Sequence, residues 1–274
     1  MEINNKPVWR KYEGIHVYCR NQFVAALPDS SSDWRNWLEQ SVTVLKSDEK
    51  KESGRIVWPD KRTFFFKRFR LNSLPQKAVY FLFRNHAEKS FRLSQELIDS
   101  GISVPFPVAV INDLDARKGS VWFICEDLTD TQTLKKHIKI HNKPGYRKTL
   151  FERFAQEIAD IHCSGFFHGD LKWKNIMIGP EPEHRSFYID LDTAGKLRSF
   201  KDKRYALDLA RFCIDIAEKC PGKSHVSDFI TSYSQASGKK AGVVVRHMMA
   251  YHKRISSKHK AKYGSNIPPL NLKL

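Results

Sequence analysis

Residues 168–175 read His168-Gly169-Asp170-Leu171-Lys172-Trp173-Lys174-Asn175, and Ile189-Asp190-Leu191-Asp192 follows after a short interval. Two carboxylates and an amide in this order suit phosphoryl transfer. Asp170 lies in a loop where it can accept a hydrogen bond from an attacking hydroxyl and take its proton as the bond to phosphorus forms. Lys172 can meet negative charge on the transferring group. Asn175 offers a neutral oxygen and Asp190 a carboxylate at a strand end, a hard oxygen site for Mg2+ with the phosphates of a nucleotide such as ATP as co-ligands. An isolated surface Asp is structural far more often than catalytic; the weight rests on H-G-D-L-x-x-x-N joined to I-D-x-D.

The elements that must hold these residues are legible around them. Phe151, Phe154, Ile158, Ala159 and Ile161 fall at helical spacing, predicting a helix over 148–163 that ends before the loop. Ile176-Met177-Ile178 and Ser186-Phe187-Tyr188-Ile189 read as strands that fix Asn175 and Asp190. Further helices are expected over 131–141 and 205–219. The first half has another character, with strands at 41–46, 55–58 and 63–69 separated by a charged turn through Ser53-Gly54 and by Pro59-Asp60-Lys61-Arg62. A helix over 79–99 and a hairpin through 112–119, ending in Val121–Glu126, complete it. Strand alternation puts Phe65, Lys67 and Phe69 on one face, where Lys67 is either an ordinary exposed lysine or a cation for the α- and β-phosphates. Glu88 is its favoured carboxylate partner, and Glu96, on the same helix face, is the rival.

The change of composition near Glu126–Asp130 predicts an α+β protein of two lobes with a cleft between them: a small β-rich lobe with one main helix over 41–127, and a larger helical lobe over 128–274. Residues 1–40 are expected to be an extension packing on that core, with a short helix capped by Ser32 or Asp33 and carrying Trp34, Trp37 and Leu38. At 274 residues the chain buries roughly 70–75% of its extended surface, enough for such an arrangement.

Lysines and arginines number 47 against 30 acidic residues, a formal charge of +17. Such a surface attracts a polyanion, whether nucleic acid, an anionic membrane face or a phosphorylated glycolipid. The tail from 229 to 274 holds no acid, and cations crowd between Lys239 and Lys262. They make either a solvated surface or, beside Val243-Val244-Val245 and Met248-Met249, a basic rim on a packed segment. Five dispersed cysteines without CxxC spacing argue against a disulfide framework or a zinc finger and for a reducing compartment. No apolar run is long enough to span a bilayer, so a cytoplasmic or peripheral protein is expected.

On Phe66-Lys67-Arg68-Phe69, Ser100-Gly101-Ile102-Ser103-Val104-Pro105, His168-Gly169-Asp170-Leu171 with Asn175, Ile189-Asp190-Leu191-Asp192 and Lys203–Arg211, the chain resembles the lipopolysaccharide kinases of Gram-negative bacteria, which comprise the Kdo kinases and the heptose kinases and have a bilobal protein-kinase-like fold. That resemblance implies an ATP- and Mg2+-dependent kinase acting on a sugar hydroxyl of the lipopolysaccharide inner core. Asp170 would be the catalytic base, Asn175 and Asp190 the metal ligands, Lys67 a phosphate ligand, and the backbone near Glu126–Leu128 the contact for adenine. Asp208 would be the buried carboxylate bracing the loop, a salt bridge to Arg204 or Arg211 being the alternative.

Departures from protein kinases refine the expectation. No G-x-G-x-x-G joins the first two strands of the small lobe, Gly169 replaces an arginine, and the segment from Asp192 to Asp208 is too short for a peptide-docking platform. That segment carries Lys196, Arg198, Lys201, Lys203 and Arg204. An anionic glycolipid, lipid A with its inner core, is therefore the expected acceptor, met at the cytoplasmic face of the inner membrane. Small-molecule kinases of the aminoglycoside or choline type, protein kinases and a catalytically weak kinase-like binding module remain the alternatives. Nucleic acid is disfavoured as a partner, and nothing signals an oligomer.

Overall fold

Side chains alternate across a strand, and along Thr63–Leu71 this sends Phe64 and Phe66 into one apolar cluster and Phe65 and Phe69 toward another. Those clusters are the two faces of one sheet. The computed structural model describes residues 6–71, 86–113, 119–141, 143–199, 202–220, 224–270 and 272. They fall into two units, Met1–Ile98 with Val104–Thr129, and Asp99–Ser103 with Asp130–Leu274.

The first unit is a seven-stranded antiparallel sheet in the order β1-β2-β6-β7-β5-β4-β3. Its strands are β1 (Pro7–Tyr12), β2 (Ile15–Arg20), β3 (Val42–Ser47), β4 (Lys51–Val57), β5 (Thr63–Leu71), β6 (Pro107–Asp113) and β7 (Gly119–Glu126). Helix α1 (Ser31–Gln40) buries Trp34 and Leu38 on the face of Phe64, Phe66 and Trp58. Helix α2 (His86–Asp99) buries Ala87 and Phe91 on the face of Val121, Phe123 and Cys125. Burying Phe66 and Phe91 stabilises the unit by about 1.5–3 kcal/mol each. Arg20, itself buried, locks these layers: its Nε donates to the Pro107 carbonyl at 2.8 Å, and its guanidinium lies over Phe106 at 4.1 Å and Phe91 at 5.7 Å.

Three expectations are corrected here. Residues 1–40 are more than an extension, because Ile15, Val17 and Cys19 alternate inward and β2 pairs with β6 from Ile15–Asp113 to Cys19–Ala109. Ser30 caps α1, its hydroxyl accepting from the Asp33 N–H at 3.2 Å, so Ser32 and Asp33 lie inside the helix. The turn between β3 and β4 is shorter than Ser53-Gly54 implied. Asp48 Oδ1 accepts from the N–H groups of Lys50 and Lys51 at 2.9 and 2.8 Å and closes it before Lys51. Of the helix expected over 79–99, residues 79–85 lie outside the described residues, as do residues 114–118 of the hairpin and Lys201.

The second unit holds α3 (Leu134–Ile140), α4 (Pro144–Cys163), α5 (Tyr205–Lys219), α6 (His225–Ser237) and α7 (Ala241–Tyr263). Its short strands are β8 (Gln132–Thr133), β9 (Phe166–Phe167), β10 (Ile176–Ile178), β11 (Ser186–Tyr188) and β12 (Gly195–Lys196), paired as β11-β10-β8 and β12-β9. Aromatic rings make its core, with Phe212 at 4.8 Å from Phe229, 5.7 Å from Phe154 and 6.0 Å from Trp173. Trp173 belongs to the loop of interest, so the core itself pins that loop. Among the described residues no helix is long and apolar enough to cross a membrane.

Candidate active site

The loop is hung from a carboxylate. Asp208, in the first turn of α5 and fully buried, accepts from the backbone N–H of His168 at 2.6 Å and of Gly169 at 2.7 Å, with His162 Nε2 3.3 Å away. Neither Arg204 nor Arg211 pairs with it: Arg204 holds Asp202, and Arg211 reaches Asp170. Gly169 has φ +79°, and a Cβ there would lie 2.5 Å from the Thr193 carbonyl oxygen. An arginine at this position would clash with the Leu191–Thr193 turn, which accounts for the glycine.

His168 ties the two halves of the motif together. Its Nδ1 accepts from the Asp170 N–H at 3.3 Å while Nε2 donates to the Ile189 carbonyl at 2.9 Å. Trp173, fully buried, donates its backbone N–H to the Asp215 carboxylate at 2.8 Å, and the chain turns through Trp173–Asn175 into β10. The Ile189 N–H then donates to the Asn175 carbonyl at 3.0 Å, so Asn175 and Asp190 end adjacent strands. Asp190 has φ 64° and ψ 57°, a left-handed backbone that L-residues adopt at a cost and that clusters at functional sites.

The Asp170 carboxylate is held on both oxygens. Oδ1 meets Lys172 Nζ at 2.9 Å and Arg211 Nη1, and Oδ2 accepts from Asn175 Nδ2 at 3.2 Å. Burial alone raises its pKa, but Lys172, Arg211 and Lys174 outweigh burial and hold it below the usual carboxylate range. Arg211 was missed as a site residue. The only signal for it in the sequence is its i,i+3 spacing from Asp208, which puts both on one helix face.

The residues fit a divalent metal. Asn175 is buried, and Nδ2 also donates to the Asp170 carbonyl at 2.8 Å; with the amide nitrogen so engaged, its side-chain oxygen is the atom left to ligate. An amide oxygen and one carboxylate are hard donors, a set that Mg2+ completes with phosphates and water. Among the described residues no group of three or more His, Cys, Asp or Glu forms a metal cluster.

The nucleotide-side candidates belong to the first unit. Lys67 is half-buried in β5 opposite Phe123, on the sheet face covered by α2. Glu88 and Glu96 are both half-buried on α2, and Glu88 lies 3.7 Å from Arg92 one turn on. Glu126 ends β7, its N–H donating to the Phe106 carbonyl at 2.9 Å and its carboxylate accepting from the Phe106 N–H at 3.1 Å. Leu128 follows it, half-buried, beyond an Asp127 paired to Arg55 at 2.6 Å.

The Lipopolysaccharide kinase (Kdo/WaaP) family matches residues 61–233, from just before the strand of Lys67 into α6. The chain belongs to this family. Membership in this kinase family implies use of a nucleotide and a metal. The chain is 28% identical over 149 residues to a 3-deoxy-D-manno-octulosonic acid kinase of Xylella fastidiosa, covering 53% of this chain and 57% of that protein. A protein of the same name from Vibrio vulnificus strain YJ016 is 27% identical over 169 residues, covering 58% and 68%. The chain thus spans little more than half of the Xylella relative. A solved structure described as WaaP in complex with acyl carrier protein matches at TM-score 0.65 and 17% identity, over 88% of this chain and 98% of that one. This likeness establishes the bilobal α+β fold of the family, with a β-rich lobe and a helical lobe.

Proposed function

We propose that the chain is an ATP-dependent phosphotransferase that phosphorylates a sugar hydroxyl of the lipopolysaccharide inner core, Kdo first among the candidates and heptose second. The observation that carries this is Asp170 held as a carboxylate beside Asn175, one strand from Asp190, inside the family match. The names of the curated relatives support Kdo.

In this reading Asp170 accepts a hydrogen bond from the acceptor hydroxyl. The hydroxyl oxygen bonds to the γ-phosphorus of ATP, the bond from that phosphorus to the β-phosphate oxygen breaks, the proton passes to Asp170, and ADP leaves. Lys172, which touches Asp170, meets charge on the transferring group. Asn175 and Asp190 hold Mg2+, which supplies charge neutralisation at the phosphates. Lys67 binds the phosphates with Glu88 as its partner, and the backbone from Glu126 to Leu128 meets adenine. The β-rich unit, whose sheet includes β1 and β2, meets the nucleotide and the helical unit the acceptor, working at the cytoplasmic face of the inner membrane on an anionic glycolipid.

The test is ATP turnover with and without deacylated lipopolysaccharide core, with mass spectrometry of the product. Acceptor-dependent turnover and one added phosphate on a core sugar are expected. ATP hydrolysis indifferent to the core, with no phosphorylated sugar, would overturn the reading.

Arg211 supplies a pH prediction. The working form of Asp170 is the carboxylate, so activity falls as pH drops through its lowered pKa. Arg211→Gln removes one of the influences that lower it and lets burial count for more. The acid limb of the kcat/KM profile is therefore expected at higher pH than in the parent; a limb that stays in place would show that Arg211 does not tune Asp170.

A further inference from the structure

Two basic stretches far apart in the chain meet in the second unit. Tyr205, the first residue of α5, shares a hydrogen bond with His247 Nδ1 of α7 at 2.8 Å, their rings 6.0 Å apart. Lys239 Nζ lies 5.0 Å over the Tyr205 ring. His247 is held below its usual pKa, first by burial and then by Lys203, Arg246 and Lys239, all of them positive. None of these three cations forms an ion pair with a described residue. The acid beside Lys203, Asp202, is already taken: both its oxygens bind Arg204, and it accepts from the Arg198 N–H at 2.9 Å.

Gathering like charges costs free energy unless something negative joins them. The inward face of α7 is the narrow line Val244, Met248, His252, and the Tyr205–His247 hydrogen bond brings the turn that carries His247 and its neighbour Arg246 to the start of α5, two residues after Lys203. The place is also next to the candidate chemistry. Tyr205 precedes Asp208, the carboxylate that carries the loop, by one helical turn, and His162 touches both, 5.9 Å from the Tyr205 ring and 3.3 Å from Asp208. Arg204 lies 4.3 Å over Phe167 and donates to the Lys196 carbonyl at 2.9 Å, so the segment bearing Lys203 is fastened to the strand that enters His168-Gly169-Asp170.

We propose that Lys203, Lys239 and Arg246, gathered around the Tyr205–His247 hydrogen bond, form a subsite for a phosphate or carboxylate substituent of the sugar acceptor. The subsite rests on the phosphotransfer reading, since it is an anionic acceptor that gives it a role beside the loop. Arg246 offers a planar fork suited to either anion, and the two lysines offer point charges that adapt to the sugar carrying it.

His247 provides a reporter that needs no turnover. In the full chain its imidazole is titrated by NMR with deacylated, phosphorylated lipopolysaccharide core, with a neutral glucose oligosaccharide, and with phosphatidylglycerol vesicles. An anion seated among the cations offsets them, so the core is expected to raise the His247 pKa and the neutral sugar to leave it in place. The Lys203→Gln/Arg246→Gln variant is expected to bind the core about tenfold more weakly or worse, and to raise acceptor KM by the same factor with kcat within about twofold. Lys203→Arg and Lys239→Arg, which keep the charge, are expected to retain parental affinity. A His247 that stays in place while the parent phosphorylates the core overturns the subsite and leaves the kinase reading standing. A His247 that responds only to vesicles overturns it in favour of a membrane contact. A core-induced shift without turnover supports the subsite and sinks the kinase reading instead.

Discussion

Asp170→Asn is expected to lower kcat by about two to four orders of magnitude, the usual contribution of a positioned general base. The substitution keeps the shape and one oxygen but removes the carboxylate proposed to take the hydroxyl proton. Asn175 and Asp190, the proposed metal ligands, are untouched, so KM for ATP is expected to stay close to parental. Stability separates this loss from misfolding. Lys172 and Arg211, the cations that lose their carboxylate, keep 39% and 25% of their side-chain surface in solvent, so unpairing them costs only about 0–1 kcal/mol each. A parental melting temperature with a collapsed kcat is the expected pair of results. A variant that still turns over at about a tenth of the parental rate or better would remove Asp170 from the proton transfer.

How much of this was legible beforehand depends on whether the signal is local. The loop and its flanking strands were readable because the signal is local: Asp170 and Asn175 lie five residues apart before the apolar run Ile176–Ile178, and Asp190 directly follows a second strand run. Helix α5 was readable over its whole length because it buries a broad apolar face from Tyr205 to Ile216. Helix α7 was not read as a helix, since it touches the core only through Val244, Met248 and His252, a strip too narrow to stand out among cations. Strands β1 and β2 escaped for a different reason. Ile15, Val17 and Cys19 alternate correctly, but His16, Tyr18 and the exposed Trp9 blur the polar phase, and the partner strand β6 lies far along the chain. Arg211 shows the same limit at the site. Spacing suggested a pair with Asp208, whereas the fold sends the two side chains to different parts of one loop, Asp208 to its backbone and Arg211 to its carboxylate.

Asp208→Ala is expected to combine the largest loss of stability with a loss of activity. The carboxylate has no exposed surface and is the acceptor for two buried N–H groups, at His168 and Gly169, with His162 beside it. Removing it leaves those donors without a partner in a dry site, at about 1–3 kcal/mol for each. A total of about 2–6 kcal/mol corresponds to a fall in melting temperature of about 4–20 °C for a chain of this size. The catalytic consequence follows from the same two bonds. They set where the backbone enters Asp170, and a displacement of about 1 Å at a reacting group can cost a hundredfold in rate. Asp208→Asn tests this division, because an amide presents one acceptor oxygen where the carboxylate presents two. It is expected to fall between parent and Ala in both melting temperature and kcat. Thermal unfolding and ATP turnover measured on the same preparations decide the matter: an Asp208→Ala chain with parental melting and parental turnover would mean that the loop is held by Trp173 and His168 alone.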